Sequence, residues 1–193
     1  KQNSLAIYST FFNDERHFSL VSEFQTPTKY QNAYNRNLLH WKNEGEKHKS
    51  NARIAFLNES YKYFNNLPTT DFSSGKVNSI IAKYDFEYFI SRNFSLNAIL
   101  DYTNHKGSGI NSGVKNAKQE IFSYGLLANH KLSEKLGYEL GLKQEVNNSY
   151  ENPLLYSAGI YFSPASIYEI KLNGSKNFRI PTFNDIFWEP GGN

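Results

Sequence analysis

Apolar and polar side chains alternate along much of this chain with a period of two. From residue 79 to 90, Ile80, Ala82, Tyr84, Phe86, Tyr88 and Ile90 share one parity, and Ile81, Lys83, Asp85, Glu87 and Phe89 share the other. Successive side chains of a β-strand point to opposite faces, so this run predicts a strand with an apolar face backed by a charged one. Ser91-Arg92-Asn93 separates it from Phe94, Leu96, Ala98, Leu100 and Tyr102, which alternate with Ser95, Asn97, Ile99 and Asp101. The pair reads as a hairpin. The pattern recurs at Phe122, Tyr124, Leu126, Ala128 and Leu132, at Leu136, Tyr138, Leu140 and Leu142, at Leu154, Tyr156, Ala158, Ile160 and Phe162, and at Tyr168, Ile170 and Leu172. Upstream the alternation is weaker, and residues 5–12, 18–24 and 52–64 are expected as strands, about nine in all.

Connections are expected to alternate in length. Short turns are placed at Asn13-Asp14-Glu15, at residues 91–93, at Ser133-Glu134-Lys135 and at Ser163-Pro164-Ala165-Ser166. Longer polar loops are placed at residues 26–50, 65–78, 102–118 and 147–153. Short turns on one rim and long loops on the other describe an outer-membrane β-barrel, and Tyr and Phe near the ends of the apolar faces fit interfacial girdles. A soluble β-sandwich alternates in the same way. Its strands average roughly 5 to 6 residues, however, whereas several runs here sustain alternation for about 9 to 12, the length of a tilted membrane span.

Composition changes the picture in two respects. Hydrophobic residues make up only 39%, yet there are 14 Tyr and 15 Phe, too many rings and too few branched aliphatics for a conventional core. No stretch approaches the roughly 18 consecutive apolar residues of a membrane-spanning helix, so any span must be a strand. Zero Cys excludes disulfides, thiol nucleophiles and zinc-thiolate sites. A net charge of +3, with both signs spread along the chain, lacks the basic stripe of a nucleic-acid binder. The start, without Met or an apolar signal segment, is expected to be an excised end. The expected fold is therefore all-β, an antiparallel transmembrane β-barrel segment of about nine strands and an incomplete barrel, in the bacterial cell outer membrane.

Near the C-terminus, Arg179, Pro181, Thr182, Asn184, Asp185, Phe187, Trp188, Gly192 and Asn193 follow one another in the order "R-x-P-T-hydrophobic-N-D/E-hydrophobic-aromatic … G-N". This stretch resembles one inside the barrel of TonB-dependent outer-membrane receptors. The run Leu38-Leu39-His40-Trp41-Lys42-Asn43-Glu44-Gly45 and the residues around Tyr84-Asp85-Phe86 are similar to cobalamin-receptor-like members. The resemblance implies a 22-strand parent barrel of which residues 1–193 are part, with a plug domain and a TonB-engaging segment upstream and further strands downstream. It implies active uptake of a large scarce nutrient, cobalamin or another corrinoid, or a ferric siderophore as the alternative ligand. Outer-membrane lipid, the plug of the same parent chain, the TonB complex and the nutrient are the partners it implies. A β-rich binding or adhesion module without transport is the reading from another class.

Candidate chemistry is sparse. His17, His40, His48, His105 and His130 lack metal-ligand spacing, with His130 on the apolar parity of a strand. Lys106-Gly107-Ser108-Gly109 lacks the ending and helix of a phosphate loop. Glu87, Glu139 and Glu145 sit on polar strand faces, as lumen charges do. No enzyme activity, cofactor or metal is expected. For substrate contact the mixture of rings and cations at Tyr30, Tyr34, Trp41, Lys42 and Lys47, in the expected loop 26–50, can grip a large, partly polar ligand or serve as an ordinary solvated loop. In the C-terminal motif, Pro181 ends strand pairing and Asn184 and Asp185 can bond local backbone, a structured excursion. The other reading has Arg179, Asp185 and Trp188 facing the lumen or plug.

Overall fold

The computed structural model describes residues 2–18, 20, 26–69, 71–165, 167–179 and 181–187. They form one antiparallel sheet of nine strands in strict chain order. The strands are β1 (Gln2–His17), β2 (Lys29–Glu44), β3 (His48–Phe64), β4 (Phe72–Phe89), β5 (Phe94–Ile110), β6 (Asn116–Lys131), β7 (Leu136–Asn147), β8 (Leu155–Ala165) and β9 (Tyr168–Lys176), followed by a one-turn helix, α1 (Phe183–Phe187). Every neighbour is a hairpin neighbour, and the sheet stays open, because β1 pairs only with β2 and β9 only with β8. The fold is thus an incomplete up-and-down barrel wall. Its strands reach 18 residues in β4, about 60 Å at the usual rise of an extended chain.

Unbroken register carries the period-two pattern from strand to strand. One row of partners runs Phe86, Ala98, Leu126, Leu142 and Tyr156 across β4 to β8. Another runs Leu39, Ile54, Ala82, Tyr102 and Phe122 across β2 to β6. All of these lie on one face, and they stay uncovered: Leu126 is 59% exposed, Leu142 55% and Leu172 69%. Among the described residues no hydrophobic side chain is buried, while Gln119, Ser123 and Glu145 on the opposite face are nearly covered. That inverts the arrangement of a water-soluble domain. The accessible surface is 13542 Å², where a compact monomer of 22.3 kDa would expose about 9,400 Å².

The apolar surface forms a belt with a sharp upper border. Along β4 and the residue that follows it the belt runs from Ile80 to Ile90, about 33 Å along the chain and about 25 Å in height at a tilt near 40°. Immediately beyond it, on the same face, stand Asn37, Asn58, Asn78, Asn104 and Glu120. Ser9 donates to Asn37 at 2.7 Å, Asn58 donates to Asn78, and Asn104 and Tyr102 donate to Glu120 at 2.7 and 3.2 Å. At the lower border His130 stands between Phe94 and Tyr138, with ring centroids 4.9 and 5.3 Å away.

Four tight connections share one rim. They join β2 to β3, β4 to β5, β6 to β7 and β8 to β9, while the ends of β1, β3, β5 and β7 and the starts of β2, β4, β6 and β8 lie at the other rim. Several expected boundaries are corrected. Asn13, Asp14 and Glu15 continue β1 and are not a turn, each paired to β2. The expected loop 26–50 is mostly β2, a tight turn and the start of β3. Of the expected strand 18–24, Phe18 and Leu20 are not in a strand and the remainder lies outside the described residues. The longer loops shrink as well, since β4 begins at Phe72, β5 continues to Ile110 and β6 begins at Asn116. β8 extends through Pro164 at a register shift between Phe162 and Ala165, where a residue without an N–H is tolerated.

These corrections have one cause. Beyond the belt neither face of a strand is apolar, so the period-two signal disappears although backbone pairing continues. β2 shows this most clearly: only Leu39 and Trp41 extend the apolar rows, while Gln31, Asn35 and Asn37 share their parity. The count of about nine strands agrees, but the second of them is β2 and not the expected run 18–24.

Candidate functional site

The face opposite the belt carries the chain's chemistry, in two zones. Near the tight-turn rim, charges of opposite sign cross the sheet as a ladder. Lys49 lies 3.8 Å from Glu87, Arg53 donates to Asp85 at 2.9 Å, and Asp101 is flanked by Lys83 at 3.9 Å and Lys143 at 3.8 Å. Farther along the same face, where β7 runs into its connection to β8, Glu145, almost fully covered, accepts from Tyr150 at 3.1 Å and Asn152 at 3.2 Å. Burial, reinforced by the Glu145 carboxylate, pushes the Tyr150 phenol up to about 12.

Toward the other rim the same face becomes aromatic. Alternate residues of β2 place Tyr30, Tyr34 and Arg36 side by side, and β3 places Glu59 and Tyr61 beside them. Tyr30 stacks on Tyr61 at 5.6 Å with planes 4° apart, and Tyr34 stacks on Phe12 at 4.7 Å. The Arg36 guanidinium lies 4.5 Å over the Tyr34 ring while its Nε donates to Glu59 at 2.7 Å. Gly75 leaves space for the Tyr61 ring, which a Cβ at that position would meet. Tyr30, Tyr34, Arg36, Glu59, Tyr61 and Gly75 line, together with residues 112–114, an open cleft of about 510 Å³. Flat rings, a cation and a carboxylate in one cleft can stack on a conjugated ligand and hydrogen-bond its polar periphery.

The structure separates the five residues expected to contact substrate. Tyr30 and Tyr34 line the cleft. Lys42 shares their face at the opposite end of β2, about 40 Å from Tyr30 along an extended chain. Trp41 points to the apolar face, where its Nε1 donates to Asn3 at 2.8 Å. Lys47 lies in the tight turn, its carbonyl accepting from the Phe89 amide at 2.8 Å. Arg36, Glu59, Tyr61 and Gly75 are not singled out by the sequence, since only the register of β2, β3 and β4 shows that they converge; Tyr61, in an expected strand, is the accessible hint.

The C-terminal motif is a capped turn on the long-connection side. Asp185 Oδ2 accepts from the Thr182 amide at 2.7 Å, and Thr182 Oγ1 accepts from the Asp185 amide at 3.2 Å, a reciprocal capping box. These hydrogen bonds hold the Asp185 carboxyl below its ordinary value, with Arg179 adding attraction. Phe178 stacks on Tyr150 at 5.8 Å and ties the segment to the β7–β8 connection. Arg179 is exposed and Pro181 partly covered. The Asn184 side chain and Trp188 lie outside what is described.

Each histidine ring is committed to a separate neighbour: His17 to Glu15, His40 to Asn51, His48 to Asn43, His105 to Ser79 and His130 to Tyr138. Among the described residues no three His, Asp or Glu side chains group as a metal site. Comparison with protein-family models and with curated proteins finds no match to this chain.

Proposed function

We propose that this chain is part of the barrel wall of a bacterial outer-membrane receptor that takes up a large scarce nutrient, of the TonB-dependent kind. The observation that carries this reading is the apolar belt, about 25 Å tall, on one face of an open sheet and exposed among the described residues. A strand edge crossing hydrocarbon leaves backbone groups unpaired at several kcal/mol each, so β1 and β9 call for further strands. Alternating tight and longer connections fit the periplasmic and outer rims of such a barrel. The order of residues from Arg179 through Asp185 supports the receptor kind, and the ion-paired inner face suits a water-filled or plugged interior.

In this reading no bond of the substrate is made or broken. The ligand enters at the long-connection rim, where the cleft of Tyr30, Tyr34, Arg36, Glu59 and Tyr61 offers stacking and polar contacts. The plug and the TonB complex of the complete receptor supply gating and energy. A corrinoid is the preferred cargo. Cells expressing the complete reading frame should accumulate labelled cobalamin, and Tyr61→Ala should weaken binding by about twofold to tenfold, the contribution of one ring contact. Uptake of ferric chelates in place of cobalamin would replace the cargo and keep the class. Ligand binding without accumulation would instead make the protein a binding or adhesion module.

A further inference from the structure

Above the polar border, the outward face carries a cluster of three lysines, of which, among the described residues, only Lys118 has a carboxylate partner. Lys76, Lys106 and Lys118 each stand four residues beyond the last belt side chain of their strand, Ile80, Tyr102 and Phe122 respectively. The register runs without a shift through β3 to β6, so all three share the belt's face. Lys106 and Lys118 are direct cross-strand partners. Lys76 pairs with Ser108, two residues from Lys106, and is therefore diagonal to it. All three are exposed. Glu120, the nearest carboxylate on this face, lies 3.0 Å from Lys118 and also accepts from Asn104 and Tyr102. Among the described residues Lys76 and Lys106 have no ion-pair partner.

Like charges directly opposite one another on a sheet are unfavourable unless an anion lies between them. The height of the cluster says where that anion would come from. Four residues are about 13 Å of strand, or about 10 Å of height at a tilt near 40°. The headgroup layer adds roughly 5 to 7 Å on each side of the hydrocarbon, and lysine stems bend toward it.

We propose that Lys76, Lys106 and Lys118 form a docking surface for the phosphate groups of anionic lipid in the leaflet at the long-connection rim. The inference rests on the membrane reading of the belt. Its chemistry is charge complementarity continuous with an apolar surface: acyl chains lie against Ile80, Tyr102 and Phe122 while the phosphate reaches the ammonium groups above. A lysine near an anionic lipid surface favours association by about fivefold.

The test uses the complete polypeptide reconstituted in phosphatidylcholine bilayers containing a minority of spin-labelled phosphatidic acid or spin-labelled phosphatidylcholine. The protein should prefer phosphatidic acid, and the joint substitution Lys76→Gln, Lys106→Gln and Lys118→Gln should reduce that preference at least fivefold. Arginine at the same three positions should retain it, and inorganic phosphate should not compete. An unchanged preference in the glutamine variant, with the protein still lipid-bound, overturns the docking surface alone. Full competition by inorganic phosphate overturns the lipid as occupant. A polypeptide that is monodisperse in water and contacts neither lipid overturns the membrane reading beneath it.

Discussion

Single side chains on adjacent positions of one strand lie on opposite faces of the sheet, and their substitution separates the two faces. Leu126 lies near the middle of the belt, and Leu127 points to the opposite face, where it approaches Gly141. Arginine on the lipid side of a barrel midplane costs about 2 to 4 kcal/mol. On the membrane reading, Leu126→Arg should therefore destabilise the folded protein in liposomes by that amount, and Leu127→Arg by clearly less, as read from denaturant unfolding. Equal penalties would mean that both faces are packed, as in a sandwich. Tyr150 offers a second reading at this scale. Its phenol is raised to about 12, so its neutral form stabilises the fold fully below the ordinary tyrosine value near 10. That contribution is lost as pH rises through the folded value. The ultraviolet difference titration between wild type and Tyr150→Phe should show one late-titrating phenol, absent from the variant.

At the scale of elements, the capped turn at Thr182–Asp185 and the polar halves of the strands show how local and long-range forces divide the work. The turn is held by residues three apart, and its signature can be read from the sequence. Because the Asp185 carboxyl is held below its ordinary 3.8, the cap is fully formed above that pH and is lost as pH falls through the lower folded value. In isotope-labelled protein the Thr182 amide resonance should titrate with a midpoint below 3.8, and Asp185→Asn should abolish the titration. The upper half of β2 lacks such a local signal. Gln31, Ala33 and Asn35 form a strand because β1 and β3 supply backbone partners on both sides. That is why the run 26–50 reads as a loop in the sequence, and why the cleft built on Tyr30, Tyr34 and Tyr61 was only half visible there.

At the scale of the whole molecule, the open sheet has two unfinished requirements: cover for its apolar face and partners for the edges of β1 and β9. Burying apolar surface gains roughly 25 cal/mol per Å², so an uncovered belt spanning the sheet drives the chain into lipid, detergent or aggregates. The complete protein should require detergent to remain monodisperse in size-exclusion chromatography with light scattering. A monomer in plain buffer would mean that another layer covers the belt. The two edges add that the nine strands taken alone should self-associate even in detergent, whereas the complete protein proposed above should run as a single species.

The sequence by itself determined what repeats locally. Parity from Ile80 to Ile90 and from Phe94 to Tyr102 specified strands with one apolar face, because a pleated chain sends alternate side chains to opposite sides. The short spacers at residues 91–93 and 133–135 specified hairpins, and the long runs with few branched aliphatics argued against a packed core. Tertiary structure alone decided what depends on register between strands. It made Asn13, Asp14 and Glu15 part of β1, turned Trp41 away from Tyr30 and Tyr34, and gathered Arg36, Glu59, Tyr61 and Gly75 around them. It also set Lys106 opposite Lys118. Above the belt the partition between oil and water no longer labels the faces, so cross-strand hydrogen bonds, made between residues distant in sequence, position the chain there.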